Sequence, residues 1–197
     1  MMPLDFPLHL TFLAALLTLA VVRVWYWRRQ RELLGMAFSE QQRVYADTRQ
    51  IGAMLGFLLV LVHLANPRIL GWTEFPLPGT VRWAGAILTI VAIAICARAA
   101  HDEIDALRNA RRQAFVPGGL FRYVRHPIEG GLVVLAVALT LLTADWVVAL
   151  LTGGLALHGL WVRAPRVERQ RLASAGAVYE AYAMTTPALV PRRHAKS

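Results

Sequence analysis

Residues 119–146 read GLFRYVRHPIEGGLVVLAVALTLLTADW. Two arginines, a histidine and a proline stand directly before an apolar run, and a short polar turn follows that run. A cationic cluster at the mouth of an apolar helix is costly to hold there unless it has a partner. The stretch therefore predicts a membrane-embedded helix that begins beside a ligand site, and we expect the ligand to be anionic.

The rest of the chain also has the composition of a membrane protein. Of its 197 residues, 57% are hydrophobic and 17% are charged, and the mean hydropathy is +0.47. Soluble domains usually carry about a quarter charged residues, whereas runs of roughly 20 apolar residues can cross a bilayer. We predict a single all-α, polytopic membrane domain over residues 1–197 with five transmembrane helices, at about 6–27, 51–70, 80–100, 128–144 and 146–162.

The net charge of +9 is explained by topology. Most of the 21 lysines and arginines lie in three segments, at 28–49, 98–125 and 163–196. Under the positive-inside rule, this alternation places the N-terminus outside and the C-terminus in the cytoplasm, which in a bacterium means the inner membrane. Contact with anionic lipid explains the remaining basicity, so we expect no nucleic-acid partner. The pattern leaves the oligomeric state open.

Polar segments flank the predicted spans. Helical spacing over His101–Ala114 predicts a short interfacial helix, and residues 166–184 predict a cytoplasmic C-terminal helix. Cys96 is the only cysteine, and its place near the end of a span predicts a buried, inert thiol. No pattern of histidines, cysteines and carboxylates has metal-ligand spacing, so we predict no metal site.

The two last spans are joined almost directly through Asp145, which predicts a tight antiparallel hairpin. The hairpin brings Arg122, Arg125 and His126 close to Glu168. Together these groups offer donors for a carboxylate or phosphate and one acid for an amine or hydroxyl. The glycine pairs at 130–131 and 153–154 allow close helix packing or a ligand slot. Ordinary flanking arginines and helix packing are the alternative interpretation.

Two motifs resemble a known family. The first is Gly119-x-Phe121-Arg122-x-x-Arg125-His126-Pro127-x-x-x-Gly131, and the second is Glu168-x-x-x-Leu172-x-x-x-Gly176-x-x-Tyr179-x-x-Tyr182, followed by Pro187 and Pro191. They resemble, in order and spacing, the Arg-His-Pro and C-terminal motifs of the isoprenylcysteine carboxyl methyltransferase family and its phospholipid methyltransferase-like relatives. The similarity covers about residues 116–191.

The resemblance implies a membrane enzyme that uses S-adenosylmethionine and methylates a lipophilic acceptor. The acceptor could be an isoprenylcysteine-like carboxylate, a phenolic or isoprenoid lipid, a phospholipid amine or a thiol. Carried over by position, the cofactor-binding residues are Arg122, Tyr123, Arg125, His126, Pro127, Gly131 and Glu168. A membrane reductase of the sterol-reductase type that uses NADPH, and a lipid-binding protein without catalysis, are the alternatives.

The chain departs from the family pattern at two positions. Glu129 stands where the family usually has a tyrosine, and Arg169 stands where it has a second glutamate. Glu129 could contact the cofactor amine, act as a base, or pair with Arg125 or Arg122. His158 lies about one turn inside the end of the fifth span, by a rise of about 1.5 Å per residue, where a ligand contact and a helix–helix hydrogen bond are equally expected. We name Arg125, Glu129 and His158 as candidate catalytic residues.

Overall fold

The computed structural model describes residues 5–34, 73–110 and 118–190. Within these ranges every regular element is a helix, which confirms the all-α prediction for this part of the chain. The elements, in chain order, are α1 (Asp5–Leu34), α2 (Gly79–Ala110), a 3₁₀ turn (Gly119–Arg122), α3 (Pro127–Thr143), α4 (Trp146–His158), a π-helical turn (Gly159–Arg163) and α5 (Ala164–Thr185). The predicted span at 51–70 lies outside the described residues.

Three helices in these ranges are long and apolar enough to cross a membrane, at Pro7–Arg29, Gly79–Ala106 and Trp146–Thr185. They correspond to the spans predicted at 6–27, 80–100 and 146–162. Helix α3 is also apolar but has only 17 residues, fewer than the roughly 20 of a usual span. The outer surfaces of α1 and α2 expose large apolar side chains, including Leu10, Leu17, Ile87 and Ile90. These features are compatible with an integral membrane protein.

Two predicted boundaries differ from the structure. Helix α2 continues to Ala110, so residues 101–110 extend a long helix and do not begin a separate interfacial one. No glycine or proline interrupts the chain there, and the helical hydrogen bonds therefore continue. Helix α4, the π-helical turn and α5 likewise follow without a break, so the predicted helix at 166–184 is the continuation of the last span. Gly176, with φ 50° and ψ −129°, kinks this long helix.

Close packing of α3 against α2 forms the centre of the bundle. A Cβ atom added at Gly85 of α2 would lie 2.5 Å from the backbone nitrogen of Leu142, and one added at Gly131 of α3 would lie 2.7 Å from the Cys96 Sγ. The two helices thus approach at distances that only glycine permits. Cys96 is a buried free thiol, as predicted.

The turn between α3 and α4 confirms the predicted tight hairpin. Ala144 adopts a left-handed conformation with φ 53°, and Asp145 then caps α4 by accepting hydrogen bonds from the backbone nitrogens of Val147 and Val148 at 2.7 and 3.1 Å. The Thr73 hydroxyl donates to the same aspartate at 2.7 Å. Because the turn is this short, the start of α3 and the end of α4 lie side by side at the opposite end of the bundle.

Candidate functional site

The loop that carries the arginines and the histidine is anchored to α2. Gly119 has φ 56°, and a Cβ atom there would overlap the carboxylate of Asp102. The same carboxylate accepts a hydrogen bond from the backbone nitrogen of Leu120 at 2.8 Å and pairs with Arg98 at 3.0 Å. A glycine in the left-handed region therefore lets a buried aspartate hold the loop.

The C-terminal segment, which comprises α5 and the residues after it up to 190, covers the other side of this loop. The backbone nitrogens of Arg125 and His126 donate to the carbonyl oxygens of Pro187 and Ala188 at 2.9 and 3.0 Å. The Tyr182 hydroxyl donates to the carbonyl oxygen of Phe121 at 2.6 Å, and the Arg171 guanidinium lies 5.1 Å from the centre of the Phe121 ring. The 3₁₀ turn and the motif residues are thus fixed between α2 and the C-terminal segment.

The predicted meeting of the two motifs is present. One oxygen of Glu168, Oε1, lies 2.7 Å from Arg125 NH1 and 2.9 Å from His126 Nε2, although the histidine and the glutamate are 42 residues apart in sequence. The imidazole is buried, whereas the arginine and glutamate side chains are 21% and 29% exposed. The group is therefore a small, partly open cluster of two nitrogen donors around one carboxylate.

Arg125 retains an unused donor at this cluster. Its Nε atom is buried and has no hydrogen-bond partner among the residues that the structure describes. A buried donor without a partner costs free energy, about 1–3 kcal/mol in proteins. The guanidinium therefore keeps one N–H donor unsatisfied, which an anionic or carbonyl group would satisfy.

A second ionic cluster lies next to the first and involves Glu129. This side chain is 3% exposed and is paired with Arg163 NH1, so its partner is neither Arg125 nor Arg122, the two residues considered from the sequence. The second terminal nitrogen of Arg163, Nη2, lies 3.4 Å from Glu103 of α2. Glu103 in turn accepts a hydrogen bond from the Tyr26 hydroxyl of α1 at 2.7 Å. It also lies 3.6 Å from Arg171.

The π-helical turn sets which face of the long helix points inward. Around this turn, the buried residues of the long helix are Ala156, Gly159 and Ala164. The spacing between the last two is five residues, and the π-helical turn lies between them. The backbone nitrogen of Ala164 donates to the carbonyl oxygen of Gly159, as a π-helical bond does, and Pro165 follows at once. From Ala164 the four-residue step of an ordinary helix reaches Glu168. π-Helical turns are rare and occur frequently at functional sites.

Several predicted site residues stay apart from these clusters. Arg122 is exposed, Tyr123 is 64% exposed, and His158 is exposed at the end of α4. Pro127 is buried as the first residue of α3, where it needs no backbone hydrogen bond. Gly131 faces Cys96 across the α2–α3 contact, so in this structure it serves helix packing.

Sequence reasoning missed Glu103, Arg163 and Arg171. Glu103 falls within the segment predicted as an interfacial helix, and the positive-inside rule already explains arginines at positions 163 and 171. Charged residues just beyond an apolar span are common, so no sequence signal distinguishes these three. Their partners also come from different helices and could not be matched from spacing.

No protein-family model matches the chain, and no curated protein matches it significantly. Among the described residues no group of three or more histidine, cysteine, aspartate or glutamate side chains could hold a metal ion.

The resemblance of the two motifs implies S-adenosylmethionine as the cofactor. This cofactor presents a carboxylate, a primary amine and ribose hydroxyls. The unused Nε donor of Arg125 matches the carboxylate, and Glu168 is an acceptor for the amine or a hydroxyl. His126 already donates to Glu168 through Nε2 and so orients that carboxylate. Arg125, His126 and Glu168 would hold the cofactor.

Proposed function

We propose that the chain is an S-adenosylmethionine-dependent methyltransferase of the membrane, acting on a lipophilic acceptor. The observation that supports this proposal best is the contact of Arg125 and His126 with Glu168. Those three residues belong to the two motifs by which the sequence resembles the isoprenylcysteine carboxyl methyltransferase family, and the fold brings them together.

The cofactor would supply an electrophilic methyl group on its sulfonium. The chain's own part is to orient the cofactor and to exclude water, because positioning contributes much of the rate of such a displacement. Arg125 would hold the anionic end of the cofactor, and Glu168, oriented by His126, would accept hydrogen bonds from it. A carboxylate or thiolate acceptor would need no strong base, whereas a phenol or an amine would need its proton removed.

The charge distribution supports a cytoplasmic site. Exposed cationic side chains, among them Arg28, Arg98, Arg108, Arg122 and Arg169, lie at the end of the bundle where the two clusters lie. In this proposal that end faces the cytoplasm of a bacterial inner membrane. A lipophilic acceptor would then reach the site sideways between helices from the bilayer.

The directions of α1 and α2 support the five-span topology. Leu8 near the start of α1 packs with Ala86 near the start of α2, and Tyr26 near the end of α1 bonds to Glu103 near the end of α2. The two helices therefore run in the same direction. The end of α1 and the start of α2 therefore lie at opposite ends of the bundle, as an additional span between them would require.

Calorimetric binding of S-adenosylmethionine to the detergent-purified protein tests the proposal. We expect the wild type to bind, and we expect His126→Ala and Glu168→Ala to weaken binding strongly. Arg169→Ala is the matched control, because Arg169 adjoins Glu168 on the same helix but is exposed; it should bind like the wild type.

Three outcomes would change the conclusion. A folded wild type that does not bind the cofactor would contradict the methyltransferase proposal. Binding of NADPH in its place would favour the reductase alternative. Cofactor binding that neither substitution affects would leave the reaction class standing but would place the site elsewhere. Methylated product from a membrane lipid extract would then identify the acceptor.

A further inference from the structure

We propose that Arg163 is a positioning residue of the candidate site. It holds the first turn of α3 through Glu129 and thereby keeps Arg125 and His126 opposite Glu168. The proposal rests on the methyltransferase assignment for its effect on cofactor affinity, but its geometric part stands independently of that assignment.

Two side-chain contacts join the start of α3 to the long helix formed by α4, the π-helical turn and α5. His126 precedes α3 as its N-cap residue, and Glu129 lies three residues later in its first turn. Their partners, Glu168 and Arg163, lie five residues apart on the one continuous helix. A single contact would leave that helix free to rotate about it, whereas two contacts fix both separation and rotation. The Glu129–Arg163 pair thus determines how Glu168 approaches the histidine.

The Glu129–Arg163 pair is itself held in place by residues of α1 and α2. Arg163 uses NH1 for Glu129 and NH2 for Glu103, so one planar guanidinium bridges two helices. Lysine cannot reproduce this, because its ammonium is a compact point charge without a fork. Glu103 is fixed in turn by Tyr26 at 2.7 Å. The position of Arg163 therefore depends on α1 and α2 and not on a ligand.

The π-helical turn makes the arrangement possible. Arg163 is the last residue of that turn, and Gly159 at its start lies against Glu129, since a Cβ atom there would be 3.6 Å from the Glu129 Cγ. Across the turn the inward face moves by one residue, so Arg163 reaches the carboxylates while Ala164 and Glu168 still point inward. In an uninterrupted helix, Val167 would take the inward place of Glu168.

The first test measures S-adenosylmethionine affinity and thermal stability of Arg163→Met, Arg163→Lys and the exposed control Arg169→Met. At a temperature where all variants stay folded, we expect Arg163→Met to weaken binding roughly 10- to 100-fold, the size typical of losing a residue that orients a ligand-binding side chain. Arg163→Lys should not restore full affinity. In a Glu168→Ala background, Arg163→Met should have little further effect, because its action passes through the Glu168 contact.

The second test needs no cofactor. The protein has six histidines, so ¹⁵N-histidine NMR in detergent, assigned with His126→Ala, isolates the His126 ring signal. We expect Arg163→Met to shift that signal in the same direction as Glu168→Gln, since both disturb the contact with the carboxylate, and Arg169→Met to leave it in place.

An unchanged His126 signal in a folded Arg163→Met protein overturns the proposal, whether or not the wild type binds the cofactor. Lower thermal stability with unchanged cofactor affinity and an unchanged signal means that Arg163 is merely structural. If the wild type fails to bind while the signal still shifts, the methyltransferase assignment falls and the positioning role remains.

Discussion

Replacing Gly131 with alanine tests whether this glycine serves helix packing or the cofactor. The added Cβ atom would lie 2.7 Å from the Cys96 Sγ and 3.3 Å from the Ile95 Cγ2. Non-bonded carbon atoms prefer about 3.5–4.0 Å, so the sulfur or a helix must move. Overpacking of this kind costs about 1–3 kcal/mol.

Gly130 provides the matched control in the same helix turn. A Cβ atom there would meet only Leu189 Cδ2, at 3.9 Å, which is an ordinary contact. Alanine is favoured over glycine inside a helix by about 1 kcal/mol, and both substitutions share that gain. The difference in unfolding free energy between Gly130→Ala and Gly131→Ala therefore isolates the clash, and we expect about 1–3 kcal/mol.

Removing the sulfur should repair the damage. In Gly131→Ala/Cys96→Ala the nearest atom is no longer present, so we expect most of the lost stability to return. Denaturant or thermal unfolding in detergent gives the unfolding free energies of the wild type and of the three variants. Cofactor binding of the same proteins is measured at low temperature. Equal stability of the two alanine variants, or failure of Cys96→Ala to rescue Gly131→Ala, would refute the packing role.

Three further predictions concern the loop, the hairpin and the π-helical turn. Tyr182→Phe should lower the unfolding free energy by about 1–3 kcal/mol, because the buried Phe121 carbonyl loses its donor; thermal unfolding measures this. Asp145→Ala should cost about 0.5–2 kcal/mol by the same measurement, because α4 loses its cap. Deleting Trp161, which is 76% exposed, should convert the π-helical turn to an ordinary one and leave cofactor binding near that of Trp161→Ala. One alanine inserted before Val162 should abolish binding, and equal effects of deletion and insertion would contradict this assignment of the turn.

Local properties explain why much of the fold could be predicted. Apolarity and helical spacing depend on near neighbours in the chain, so the helices at 6–27, 80–100 and 146–162 followed from composition. The hairpin at Asp145 followed from the short polar break between two apolar runs. Once that hairpin is present, the chain has little freedom to keep His126 away from Glu168, and their meeting was predictable for that reason.

The choice of partners was not predictable, because it depends on the rotation of each helix about its axis. The five-residue spacing of buried residues at the π-helical turn changes which residues of the last helix point inward. No periodic pattern in the sequence indicates this turn. Glu129 therefore pairs with Arg163 and not with Arg125, which is nearer to it in the sequence, while His158 points outward.

By itself, the sequence determined helices apolar enough to cross a membrane and a short hairpin that joins an Arg-His-Pro motif to a glutamate. Only the tertiary structure decided that Gly131 serves the α2–α3 contact and that Glu103 and Arg163 form a buried cluster beside the motif. The physical reason is range: helix formation and apolarity follow from each segment's own residues, whereas ion pairs between helices depend on packing distances and rotations that arise when all the segments assemble.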